Sequence, residues 1–346
     1  LASRREDHRR GTSAHLGFSR APARSGGQCR KRGSFGTRAG SPVELNRRAT
    51  REAHQWPMTC SCGGVLPAGT PLDLSRAFLP EALAGLSTVR ALDHHDDRRR
   101  MNQIRAASYL HVFDLFETCL ADAARAHAVR DVDARDTLVP LLRLDSFDHT
   151  ELFRTFQSAF QQSFPVVPKL AERPADLDEI LRDAVPLSLL IVALHLKLVT
   201  QQHYLACVRG DESLEPSFVR VLKEHWAMEC GRTRSPSSAL AIQQALGAAL
   251  PGRVPAALRD YRRIMFTTDD VLRRQSELDV ETLEATRGAR LSAADRSSVV
   301  DAQFAAFRKT FITYGIVNAA FVYAMRSLGP TAPAMLAGVV SALSSR

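Results

Sequence analysis

From residue 141 to residue 160 the chain reads LLRLDSFDHTELFRTFQSAF, the stretch that most narrows what it can become. Leu142, Asp145, His149, Leu152, Phe156 and Phe160 recur at steps of three and four, which places them on one face of an α-helix. A carboxylate and an imidazole thus share the inward stripe with leucine and phenylalanine. An isolated charge removed from water costs several kcal/mol, so these two groups need partners or a metal ion.

Helical periodicity extends through most of the chain. A first long helix is predicted from about Asp93 to Arg130, with Asp93, Asp96 and Asp97 at its positive end. His94 and His95 adjoin these aspartates but point in different directions, and they read as first-turn residues rather than ligands. A second helix is predicted from about Ala134 to Phe164, with Pro140 kinking it or marking its first turn. The segment PVVPKLAERPA (165–175) is a connector, followed by a short helix from Asp176 to Ala184. The third long helix starts near Pro186 and ends by Gly210, on the stripe Leu190, Leu194, Lys197, Gln201 and Leu205. The fourth begins near Glu215, with Pro216 in its first turn, and carries Phe218, Val221, Leu222, His225, Glu229 and Arg232 on one face.

Further helices are predicted from Val254 to Arg287 and from Ser292 to Leu328. The latter opens on a shortened capping box, Ser292 with Asp295. Its seam of Val300, Phe304, Phe307, Phe311 and Tyr314 reads as core. Alternating β-branched runs and Asn-Gly hairpins are absent, so the expected class is all-α. A Gly-rich phosphate loop and a G-x-S-x-G elbow are also missing, which argues against a nucleotide-dependent enzyme or an α/β hydrolase.

Polar residues recur on the inward stripes at a regular interval. Helical bundles that hold two irons supply one Glu from each of two helices and a Glu-x-x-His pair from each of the other two, because residues three apart share a face. The corresponding positions here are Glu117, Ser146 with His149, Lys197, and Glu229 with Arg232. Glu117 precedes Ser146 by 29 residues and Lys197 precedes Glu229 by 32, the spacing of two helical hairpins related by a pseudo-twofold axis.

Four short words, NQIR (102–105), DHTELFR (148–154), TQQHY (200–204) and HWAME (225–229), resemble bacterial ferritin-like proteins distantly similar to the p-aminobenzoate N-oxygenase type of di-iron enzyme. The resemblance covers roughly residues 79 to 328. It implies a ferritin-like four-helix bundle elaborated with additional C-terminal helices. It also implies carboxylates at the positions of Glu117, Ser146, Lys197 and Glu229, and histidines at those of His149 and Arg232. Three of the six depart: Ser146, Lys197 and Arg232. Glu117, His149 and Glu229 remain as remnant ligands, and Asp145 is a substitute displaced by about 100° around the helix. His203 and His225 read as satisfied core or rim histidines.

The expected site is therefore degenerate and without cofactor, and the expected role is non-catalytic binding or structure. One alternative is an iron-dependent oxidoreductase using Glu117, His149, Glu229 and either Asp145 or His225 around one metal. Another is a carrier of a small apolar ligand beneath the Phe304 to Phe311 seam. The formal charge is +9, yet residues 1–57 alone hold 13 Lys and Arg against 4 Asp and Glu, leaving 33 of each sign in the other 289 residues. A nucleic-acid surface on the folded part is not expected. Residues 1–57 lack apolar periodicity and are expected to be a disordered leader, read as upstream sequence included by a gene-start error. Residues 58–92 form an irregular lead-in with a short helix near Leu79 to Ala84, 93–328 the bundle, and 329–346 a short helix or tail. The cysteines at 29, 60, 62, 119, 207 and 230 lack zinc-site spacing, so reduced cytoplasmic thiols are expected. The apolar run from Leu187 to Val199 contains His195 and Lys197 and is too short to span a bilayer. A homodimer is the expected assembly.

Overall fold

The computed structural model describes residues 70–142, 146–230 and 238–346, apart from the side chains at 146–148, 238 and 344. The basic leader, Cys29, Cys60, Cys62, Asp145 and Arg232 lie outside the described residues, as does the side chain of Ser146. Among the described residues there is no strand, only an isolated parallel bridge between Ala77 and Leu214. The protein is all-α.

The helices are α1 (Glu81–Ala84), α2 (His95–Arg130), α3 (Val132–Leu142), α4 (Ser146–Ser163), α5 (Ala175–Asp183) and α6 (Pro186–His203), which continues as a π turn over Tyr204–Val208. Then come α7 (Pro216–Glu229), α8 (Ser238–Gly247), α9 (Val254–Arg287) and α10 (Ala293–Arg308). A second π turn over Lys309–Thr313 leads into α11 (Tyr314–Ile316), α12 (Ala319–Ser327) and α13 (Ala332–Ser344).

Local chemistry sets the boundaries. The Glu215 side chain caps α7 by accepting from Phe218 N at 2.6 Å, with Pro216 in the first turn where its missing N–H costs nothing. Ser292 Oγ accepts from Asp295 N at 3.1 Å to start α10. The shorter Asp295 carboxylate accepts from Ser292 Oγ at 2.8 Å, in place of the backbone N–H that a glutamate reaches in the full box. The helix expected to run from Ser292 to Leu328 is interrupted, because Asn318 Oδ1 accepts from Ala320 N and Phe321 N and so begins α12. The helix expected from Ala134 to Phe164 is described as two, α3 and α4, with Pro140 inside α3. The C-terminal segment is helical and packs on α9 and α12, burying Leu336, Val339 and Leu343.

Four helices make a closed ring of contacts: α4 packs on α2 and α7, and α6 packs on the same two. Nearly every residue of α6 is buried, as expected of a helix apolar all round, and α9 also packs on α2 and α6. The polar word at the start of α2 ties down the lead-in. Asn102 Oδ1 accepts from Phe78 N (2.7 Å) and Leu79 N (3.0 Å), while Gln103 Nε2 donates to Leu74 O and Arg76 O. Arg105, fully buried, donates to Leu83 O and Gln303 O and lies 3.8 Å over the Phe307 ring.

Candidate functional site

The ring of four helices converges on five ionisable side chains. Glu117 comes from α2, His149 from α4, Lys197 from α6, and His225 and Glu229 from successive turns of α7. His149 Nδ1 stands 2.9 Å from Glu117 Oε2 and 3.5 Å from Glu229 Oε1. Lys197 Nζ donates to Glu229 Oε1 at 2.5 Å. His225 Nε2 lies 3.4 Å from Glu117 Oε1 and 3.8 Å from Glu229 Oε1, without a well-formed hydrogen bond to either. One donor atom from each of Glu117, His149, His225 and Glu229 falls within 4.8 Å of every other. Phenylalanine walls the group: Phe113 and Phe153 meet the His225 ring edge-on at 5.5 and 4.8 Å.

Burial sets the electrostatics. It would raise the Glu117 carboxyl, but the His149 and Lys197 charges outweigh it and hold Glu117 well below the usual carboxylate range. Burial also opposes charge on His149 and Lys197, yet Glu117 lifts the imidazole and Glu229 lifts the ammonium above their ordinary values. His225 goes the other way, burial keeping it below its ordinary value and hence neutral. Pairing thus favours the charged forms of Glu117, His149 and Lys197 against the burial that opposes them. A half-buried layer backs the group, with Thr150 Oγ1 donating to Asp114 Oδ1 at 2.9 Å.

Glu117, His149, Lys197 and Glu229 thus come together from the four helices on which the sequence placed them. His225, read there as a core or rim histidine, belongs to the group as well. The signal for it was the His-x-x-x-Glu spacing of His225 and Glu229, which puts both on one face of α7. His203 does sit in the core, its Nδ1 hydrogen-bonded with Tyr109 Oη (2.8 Å), and burial pushes it down to about 3. His195 is held between Tyr261 Oη (2.8 Å) and Phe311 O (2.7 Å). The Phe304, Phe307 and Phe311 seam is buried, and the Arg105 guanidinium occupies the face of Phe307. His94 occupies the N-cap position of α2 without a side-chain capping bond, and the His95 side chain is largely exposed. No described helix is long and apolar enough to cross a membrane.

No protein-family model, curated protein or solved structure matches the chain.

Proposed function

We propose that this chain is a ferritin-like helical bundle of di-iron lineage in which an internal ammonium has taken over the charge of a metal, leaving a structural or binding role without oxygen chemistry. The observation that carries this reading is the Lys197 Nζ to Glu229 Oε1 bond of 2.5 Å inside the Glu117, His149 and His225 group. Two metal ions do not fit the described donor set. It has four donors, and Glu229 is bonded to the lysine that stands where the resemblance implies a fifth. Two divalent ions beside that ammonium would also leave strong like-charge repulsion unrelieved.

The test is the metal content of the purified full chain, with iron, manganese and zinc measured together. The expected result is far less than one ion per chain, and no rise in thermal midpoint when ferrous iron or zinc is added.

A second reading has its own support. Four buried donors within 4.8 Å, with His225 Nε2 unpartnered, suit a single divalent ion. Ligand atoms around a tetrahedral ion at 2.0 to 2.2 Å lie about 3.3 to 3.6 Å apart, so the most widely separated donors would have to draw in by about an ångström. Such an ion would have to displace Lys197 from Glu229 and take the proton from His149. One ion retained per chain, and lost in His149→Ala, would decide for this reading and against the first.

A further inference from the structure

We propose that Lys197 and Glu229 join covalently, by condensation of the ammonium and the carboxylate into an isopeptide bond that staples α6 to α7. The inference rests on the ion-pair reading of the site and extends it from a contact to a bond.

Three observations support it. The first is proximity. Nζ lies 2.5 Å from Oε1, so the carboxyl carbon one C=O bond further on is within about 3.7 Å of the nitrogen, close to a near-attack separation. The second is dryness: the Lys197 and Glu229 side chains are 8% and 1% exposed, and phenylalanines surround the group. Burial opposes both charges, and only their pairing offsets it, whereas an amide carries no net charge and needs no such offset. The third is a proton relay aimed at the oxygen that must leave. The same His149 nitrogen, Nδ1, is 3.5 Å from Glu229 Oε1 and 2.9 Å from Glu117 Oε2, so a proton it draws from the Glu117 side can be given to the leaving oxygen.

The chemistry balances without an outside reagent. Transfer of one proton along the existing hydrogen bond converts the ion pair into a neutral amine and a carboxylic acid. The Nζ lone pair attacks Cδ of Glu229, the Nζ–Cδ bond forms, and the Cδ–Oε1 bond breaks. Of the three ammonium protons one stays on the amide nitrogen, and two leave on Oε1 as water, the first along the existing hydrogen bond and the second from the nitrogen to the same oxygen, beside which His149 Nδ1 stands. Nothing is oxidised or reduced. The same geometry disfavours the other common fate of a buried lysine, carbamate formation, because Nζ already abuts Glu229 and the added carboxyl group would have to enter that contact.

Mass spectrometry of the full chain, purified without chelator or reductant, is the test. The expected result is an intact mass one water below that of the sequence, unchanged by denaturant. A tryptic digest should give a single branched species that contains Lys197 and Glu229 and is uncleaved after Lys197. Lys197→Arg, which keeps the cation, should show the full sequence mass. Glu117→Gln and His149→Gln, sampled through cell-free synthesis, should slow closure by about a hundredfold. A folded chain at full sequence mass with an unmodified Lys197 peptide overturns the cross-link. In that case a metal-free sample leaves the ion-pair reading standing, and one ion per chain removes that reading as well.

Discussion

At the scale of single residues, the site's stability depends on pairing its charges. Removing one partner of a buried pair strands the other charge, at a cost of about 3 to 5 kcal/mol. In a chain of full sequence mass, where the two remain an ion pair, Lys197→Met should therefore lower the unfolding free energy by about that much in urea titration, and Lys197→Met with Glu229→Gln should recover a large part of the loss; in a cross-linked chain both variants lose the staple and the double variant recovers little. A change below about 0.5 kcal/mol would be that of a solvated lysine and would remove the pairing. The pH dependence has two limbs of opposite sign. Glu117, held below its ordinary 4.5, contributes stability that is present above pH 4.5 and lost as pH falls through its lowered value. His149, held above its ordinary 6.5, contributes stability that is complete below pH 6.5 and lost as pH rises through its raised value. Glu117→Gln should flatten the acid limb of a plot of thermal midpoint against pH, and His149→Gln the limb above 6.5. Unaltered limbs in both variants would contradict this assignment of charges.

At the scale of elements, helices pack through buried polar contacts as well as through apolar faces. Asp279 of α9 accepts from Gln275 Nε2 (2.7 Å) and from Ser108 Oγ of α2 (2.9 Å), and burial raises its carboxyl to about 7. A raised carboxyl makes stability fall as pH climbs from its ordinary 3.8 towards 7, so Asp279→Asn should remove that decline in denaturant titrations. Near the second π turn, a Cβ on Gly315 would run into the His195 ring. Gly315→Ala should cost about 1 to 3 kcal/mol by overpacking, and a neutral result would show that the ring can yield. The helices themselves were legible in the sequence, since α2, α5, α7 and α9 begin and end within a few residues of their periodic stripes. The break at Asn318 was not, because an asparagine inside a periodic run reads as helix until its side chain is seen capping the next one. Four of the five site residues were legible from spacing alone. His225 entered only as an alternative ligand, because a histidine on an apolar face has the same pattern whether it faces Phe113 or a carboxylate, and here it faces both.

At the scale of the whole molecule, the C-terminal helix α13 is part of the same packing as the ring, through α9 and α12. Ending the chain at Leu328 should cost about 1.5 to 3 kcal/mol for each of the buried Leu336, Val339 and Leu343, read as a lowered midpoint of one cooperative transition. An unchanged midpoint would detach α13 from the fold. The Lys197 to Glu229 pair has a further consequence for how the protein matures in a cell. A bundle whose buried carboxylates are neutralised by a metal gains stability in proportion to the free metal supplied, so its folded fraction follows the nutrition of the cell. On the ion-pair function proposed above, the neutralising cation is encoded and arrives with the nascent chain at fixed stoichiometry. Cultures starved of iron or grown with a strong chelator should therefore give the same amount of folded protein, with the same melting temperature, as replete ones.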